Sequence, residues 1–83
     1  MYFVYIIKST SYSTRYVGST DNVEKRLQEH NEGKCRYTKG RRPWRLIHTE
    51  EFATRSEAVK RELFLKSGQG RKCLDDLLNN KNK

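Results

Sequence analysis

Glu62 is the residue of this 83-residue chain that most needs an explanation. It falls inside the apolar stripe, Ala58, Val59 and Leu65 with Leu63 at its margin, of a segment patterned as an amphipathic helix. A carboxylate in such a seam costs several kcal/mol unless it is paired or bound to a metal. Two readings stay open. Glu62 forms an ion pair, with Arg26 or Lys66 as partner, or it is a hard-oxygen ligand for one divalent cation, Mg2+ or Mn2+, whose remaining shell a substrate phosphate completes.

Arg26 and His30 stand four residues apart on an earlier helical segment and so share a face. Taken singly, the arginine reads as a solvated side chain and the histidine as one satisfying a local hydrogen bond. Together they make a cationic, proton-transferring face of the kind phosphoryl chemistry uses, because a guanidinium can hold a phosphate through two parallel hydrogen bonds. Tyr5 and Tyr16 sit on two short apolar runs. Strand tyrosines are packing residues as a rule. A phenol, with a pKa near 10, acts as a base only where cations or a metal lower it, and Arg26 with a metal on Glu62 would supply that field.

The elements that must position these groups follow from pattern. Tyr2 to Lys8 is a β-branched and aromatic run, apolar on both faces, which suits a strand covered on both sides. A hydroxyl-rich loop, Ser9 to Thr14, leads to a second strand, Arg15 to Gly18. A register with Tyr5 opposite Tyr16 puts both rings on one sheet face. Asp21-x-x-Glu24 reads as a capping box opening a helix with Val23 and Leu27 inward, and Gly33 as its stop. Gly40 and Pro43 keep the next stretch from being helical, and Trp44 to Phe52 is a third strand. Thr54-x-x-Glu57 caps a second helix, from Arg55 to about Ser67. Gly68-Gln69-Gly70 is expected to break it, and Arg71 to Leu78 to close the fold as a shorter helix. The expectation is one domain over residues 1–78, with a frayed tail over residues 79–83.

Eighteen basic against ten acidic residues give a net charge of +8. On so small a domain this favours a polyanionic partner, nucleic acid first among them, over a merely solvated basic surface. The charge is also concentrated. Lys34, Arg36, Lys39, Arg41, Arg42 and Arg45 follow one another with no acid between them, interleaved with Tyr37 and Trp44. Trp44, at the start of a strand, reads as packing, whereas Tyr37 is open between packing and stacking on bases. Cys35 and Cys73 lack the spacing of a disulfide framework or zinc site and read as free thiols of a reducing cytoplasm. The apolar run at the N-terminus is too short for a signal peptide or membrane span, so a soluble cytoplasmic protein, without membrane or small-molecule cofactor, is expected. His48, alone on a strand, receives no role.

In this order and spacing the pieces resemble the GIY-YIG nuclease superfamily, and within it the small stand-alone, UPF0213-like branch. Phe3-Val4-Tyr5 stands where the first motif does and Tyr16-Val17-Gly18 where the second does. Arg26-Leu27-x-x-His30-Asn31 matches the first-helix motif and Ala58-x-x-x-Glu62-x-x-x-Lys66 the second-helix motif. Leu65 to Gly68 with Gly70-Arg71-Lys72 resembles the stretch that follows in this branch. The resemblance covers about residues 2–75. It implies an α+β fold in ββαβαα order, a three-stranded antiparallel sheet flanked by helices, that hydrolyses phosphodiesters with one divalent cation. Carried over by position, it makes Glu62 the metal ligand, Arg26 the phosphate clamp and Tyr16 the base toward water. Tyr5 would orient water or phosphate, and His30 would assist proton transfer or bind phosphate. Lys66, in the second-helix motif, joins the six loop cations as a nucleic-acid contact. The first motif departs from the pattern, with Phe3 and Val4 in place of Gly and Ile. No separate recognition domain is expected in so short a chain, so the reading is a structure-directed endonuclease acting on DNA, rather than RNA, in repair or recombination. A nucleic-acid-binding module with little turnover is the alternative, and a protein-interaction domain presenting its basic face to an acidic partner the third reading.

Overall fold

The computed structural model describes the backbone of residues 1–81 and the side chains of residues 1–77. The central strand β1 (Tyr2–Ser9) pairs antiparallel with β2 (Arg15–Thr20) on one edge and β3 (Trp44–Phe52) on the other, giving the order β2-β1-β3. Helix α1 (Val23–Asn31) covers one face, and α2 (Arg55–Lys66) packs with α3 (Gly68–Lys81) on the other. This is the α+β, ββαβαα arrangement expected from the sequence.

The doubly apolar character of β1 is explained by the two cores it divides. Val4, Tyr5, Ile6 and Ile7 are each at most 1 % exposed. Alternation sends Val4 and Ile6 toward Val17, Ala58, Leu65 and Leu74 beneath α2 and α3. Tyr5 and Ile7 turn the other way, toward Trp44, Tyr16, Val23 and Leu27 beneath α1. Each such aliphatic burial is worth about 1.5–3 kcal/mol, and this one strand supplies four of the nine buried apolar side chains among the described residues.

Several local expectations are corrected. Tyr5 faces Gly18, and Tyr16 faces Ile7. The two tyrosines still share a face because they lie diagonally across the pair, with ring centroids 6.3 Å apart. The residue directly opposite Tyr5 must be small: a Cβ on Gly18 would lie 2.5 Å from the Tyr5 hydroxyl oxygen. Asn22, not Asp21, caps α1, its Oδ1 accepting from Lys25 N at 3.1 Å while its own N–H donates to Thr20 Oγ1. The two residues are equally good caps, so composition could not separate them. Gly33 ends the helix region with φ +81.

Helix α2 begins as expected, with Thr54 Oγ1 accepting from Glu57 N. It also ends about where expected, at Ser67, but the serine and not the following glycines makes the break. Ser67 adopts extended backbone, donates from Oγ to Phe64 O at 2.6 Å, and accepts from Gly70 N at 3.1 Å. One hydroxyl thus closes α2 and opens α3, and Gly68 and Gly70 lie inside the first turn of α3. Of the tail expected over residues 79–83, the backbone to Lys81 continues α3, and residues 82–83 lie outside the described part. The basic stretch before β3 also holds one short 3-10 turn, Lys39–Arg41.

At the β3 edge, Glu50 accepts from Arg61 Nε and Nη2 at 2.8 and 3.2 Å and meets His48 Nε2 at 3.0 Å. His48, given no role above, therefore belongs to a clamp between β3 and α2. The Arg61 hydrogen bonds hold the Glu50 carboxyl below its ordinary range.

The α2–α3 crossing yields a test. A Cβ on Gly70 would overlap the carbonyl of Phe64 and lie 2.7 Å from Leu65 Cα, whereas one on Gly68 would meet nothing within 4 Å. Gly70→Ala is expected to lose about 2 kcal/mol or more in urea unfolding. Gly68→Ala should be neutral or gain a few tenths. Equal effects from the two substitutions would contradict this crossing.

Candidate active site

The residues singled out in sequence gather around the free edge of β2, but from opposite faces of the sheet. On the α1 face, Tyr5, Tyr16, Arg26 and His30 come together. The Tyr5 hydroxyl lies 2.8 Å from His30 Nε2, and His30 Nδ1 lies 2.7 Å from Thr38 Oγ1. All three side chains are essentially sealed from solvent, at 1 %, 0 % and 0 % exposure. Thr38 donates to Cys35 O, so it accepts from Nδ1–H of His30, and Nε2 accepts the Tyr5 proton. The Arg26 guanidinium lies against the same Tyr5 oxygen and bonds Glu29 at 3.3 Å.

This burial sets the protonation states. Desolvation pushes the Tyr5 phenol up to about 12, with Arg26 pulling against it. Desolvation, reinforced by the Arg26 charge, holds His30 down to about 4. Near neutrality Tyr5 keeps its proton, and His30 is an uncharged acceptor behind it. The cationic face read from Arg26 and His30 therefore carries one charge, that of Arg26.

Tyr16 occupies the middle of the site. It is half-buried, its ring 5.0 Å from His30 edge-on, 6.3 Å from Tyr5 and 5.6 Å from Tyr37. Lys66 Nζ lies 5.5 Å from its centroid. Lys66 is the link to the other face, because the same ammonium bonds Glu62 Oε2 at 2.6 Å. Glu62 Oε1 accepts from Ser19 Oγ at 2.7 Å. Of the two ion-pair partners considered for Glu62, Lys66 is the observed one, and Arg26 is paired with Glu29.

The arrangement fits a cation-binding role for Glu62. A half-buried carboxylate, 17 % exposed, already holds one positive charge, the Lys66 ammonium, at contact distance. The Ser19 hydroxyl is an oxygen donor beside it. Among the described residues no three His, Cys, Asp or Glu side chains cluster, so a cation here would rest on Glu62 and Ser19, with water and substrate oxygens for the remainder.

The six loop cations, Lys34, Arg36, Lys39, Arg41, Arg42 and Arg45, are all exposed. Arg41 comes closest to the tyrosines, its guanidinium 5.9 Å from the Tyr37 centroid. Lys34 pairs with Glu32, Arg42 donates to Lys39 O, and Arg45 lies in β3 beside Lys8 and Thr10. Trp44 packs as expected, 3 % exposed, and donates its indole N–H to Thr38 O at 2.9 Å. Sequence reasoning passed over Ser19 and Thr38. Each is a hydroxyl among many, and only the pairing of distant segments distinguishes it.

A model of the GIY-YIG catalytic domain matches residues 1–73. The chain belongs to the GIY-YIG family. That family is one of nucleases, and its UPF0213 members resemble this chain over most of their length. A UPF0213 protein of Syntrophus aciditrophicus is 48 % identical over 66 residues, covering 77 % of this chain and 75 % of the relative. One from Natronomonas pharaonis is 45 % identical over 67 residues, covering 80 % and 78 %. The solution NMR structure of a UPF0213 protein from Bacillus halodurans matches with a TM-score of 0.55 at 34 % identity, over 92 % of this chain and 83 % of that one. Among the described residues no helix is long and apolar enough to cross a membrane.

The buried imidazole gives this site a pH signature. The unfolded chain binds a proton to His30 near pH 6.5 and the folded chain only near 4, so the unfolded form takes up more protons between these values. The stabilisation is complete above about 6.5 and is lost as pH falls toward 4. Long-range 1H–15N spectra are expected to show His30 neutral and protonated on Nδ1 at pH 6. A His30 midpoint of 6 or higher would contradict the assigned tautomer and charge.

Proposed function

We propose that this chain is a divalent-cation-dependent endonuclease that hydrolyses phosphodiester bonds in DNA, selecting structure rather than sequence, in repair or recombination in the cytoplasm. The observation that carries the reading is the Ser19–Glu62–Lys66 cluster, at the same strand edge as Tyr16 and reaching it through one ammonium. Two free thiols, Cys35 and Cys73, suit a reducing compartment.

Within this reading the side chains divide the work. Arg26, aimed by Tyr5 and Glu29, holds non-bridging oxygens of the scissile phosphate and meets the charge that builds there. Tyr5 does not act as the base, because its proton is committed to His30 and its phenol is pushed up by burial. Tyr16 accepts the proton of the attacking water, with the Lys66 ammonium 5.5 Å from its ring centroid. His30 is a positioning residue that reaches no solvent. Glu62, with the Ser19 hydroxyl beside it, would hold the divalent cation, which when bound would supply Lewis-acid charge to the reaction. Water oxygen bonds to phosphorus as the bond to the leaving sugar oxygen breaks, and that oxygen takes its proton from solvent.

The expected result is magnesium- or manganese-dependent cleavage of branched, flap or single-stranded-junction DNA. Glu62→Gln should abolish it with an unchanged circular-dichroism spectrum. Tyr16→Phe should slow it about 10²–10⁴-fold. Cleavage by Glu62→Gln at the parental rate would sink the assignment. The rival, a binding module with little turnover, draws support from the lysine already seated on Glu62. It would be favoured by salt-sensitive binding without cutting under any divalent ion.

The same lysine makes a separate prediction that does not use activity. Lys66→Met should bind Mn2+ more tightly than the parent in calorimetry, by a few-fold to tenfold, because the metal no longer displaces a resident charge. Weaker binding by Lys66→Met would show that Lys66 does not compete for the cation position.

A further inference from the structure

Tyr37, like Tyr12 and Phe64, is an exposed aromatic that the assigned roles do not use, and it alone of the three stands beside Tyr16 among the described ring contacts. It lies 5.6 Å, centroid to centroid, from Tyr16 and is 58 % exposed. Exposure alone says little of a loop tyrosine, but the backbone beside this one is unusually fixed. The next residue, Thr38, is fully buried. Its hydroxyl meets His30 Nδ1 at 2.7 Å and its carbonyl accepts from the Trp44 indole at 2.9 Å. Lys39 N donates to Cys35 O at 3.0 Å across the turn, and Ser9 Oγ donates to Arg41 O at 2.7 Å. Asn31 brackets the loop's far end, accepting from Trp44 N at 2.6 Å and donating to Trp44 O at 3.1 Å. A large apolar ring is therefore presented to water on a rigid mount, with little ordering cost left for a ligand to meet.

The surroundings define what that ligand is. Tyr5, Tyr16 and Tyr37 form a row from the sealed interior to the surface, and cations flank its outer half: Lys66 over Tyr16 and Arg41, 5.9 Å away, over Tyr37. Flat aromatic surface alternating with phosphate-binding charge is the recognition chemistry of an unstacked nucleobase on its backbone. A paired base inside a duplex has both faces covered by its neighbours and cannot lie on a side-chain ring.

We propose that Tyr37, closed over by Arg41, is a stacking platform for one unpaired nucleobase of the strand whose phosphate lies against Tyr16. The proposal rests on the nuclease reading for the position of that phosphate, and it goes further by naming an unpaired nucleotide next to the cut. The platform is one ring away from Tyr16, so it selects the nucleotide adjoining the scissile bond and not a distant site. Duplex segments reach the basic loop through phosphates alone.

The test uses the Glu62→Gln protein, which holds nucleic acid without cutting it. Single-stranded DNA and RNA oligonucleotides carrying 2-aminopurine are titrated against it beside a duplex of the same sequence, with binding read by anisotropy and stacking by fluorescence quenching. Tyr37→Leu in that background is expected to weaken single-strand binding about tenfold and to remove the quenching. Duplex affinity and the salt dependence of binding should stay as they were, since no phosphate contact is lost. Tyr37→Trp should restore both signals, which a merely structural role for the tyrosine would not produce. The DNA and RNA arms show which strand the platform takes. Unchanged single-strand affinity in Tyr37→Leu, or an equal loss on duplex and single strand, overturns the proposal. Stacking through Tyr37 in a parental protein that cuts nothing would leave the platform standing and remove the nuclease reading. Cutting that is indifferent to Tyr37 would do the reverse.

Discussion

The buried chain Tyr5–His30–Thr38 is the constraint on which the rest of this small structure depends. It joins the central strand, the end of α1 and the basic loop through two hydrogen bonds of 2.8 and 2.7 Å, with all three side chains out of water. An unpartnered polar group at that depth costs about 1–3 kcal/mol, so the members hold one another in place. The chain also explains why the histidine is neutral. A charged imidazole beside Arg26 would be buried next to a like charge, and the phenol that could neutralise it is itself too desolvated to ionise. The network is therefore a support that carries no net charge, and it leaves Arg26 as the cation of the α1 face.

That support explains the division of the site by the sheet. One face offers a guanidinium and two phenols, and the other a carboxylate with a hydroxyl and an ammonium. Each charge keeps a partner on its own side of the sheet, Arg26 with Glu29 and Glu62 with Lys66, so the guanidinium and the Glu62 carboxylate do not neutralise each other. Placing β1 and β2 between them keeps the opposite charges apart, and only the long Lys66 side chain bridges the strand edge. The narrowest point of this construction is Gly18. Its missing side chain lets the Tyr5 ring cross β2 and reach His30, which any Cβ, 2.5 Å from that hydroxyl, would prevent.

Much of the frame was legible in the sequence, and much of the site was not, for one physical reason. Periodicity reports which side of an element is apolar, so the doubly covered β1, the Thr54 cap and the inward Ala58 and Leu65 could be read from residue type and spacing. Register and choice of cap depend on free-energy differences between near-equivalent neighbours. Asn22 took the place expected of Asp21, Gly18 the place expected of Tyr16, and the glycines expected to break the chain entered a helix expected to begin only at Arg71. Partnerships between distant segments are further still from local pattern. Ser19 on Glu62, Thr38 on His30 and Tyr37 beside Tyr16 each join residues whose neighbours in sequence give no sign of the meeting.

The departure in the first motif can be understood on the same terms. Phe3 and Val4 stand where the family pattern has Gly and Ile, and a ring in place of a glycine so near Tyr5 needs room. Alternation along β1 provides it. Val4 turns into the α2 core, where another branched residue fits as well as isoleucine. Phe3 pairs with Thr20 and Glu51, two residues from Tyr5 on the same face, and lines a hollow with Val23, Leu46 and Thr49 at the rim. The phenol of Tyr5 passes over Gly18 to reach His30. The glycine this site cannot lose is thus the one in the second motif, since it is the residue the tyrosine passes over, and position 3 is free to carry a ring that packs.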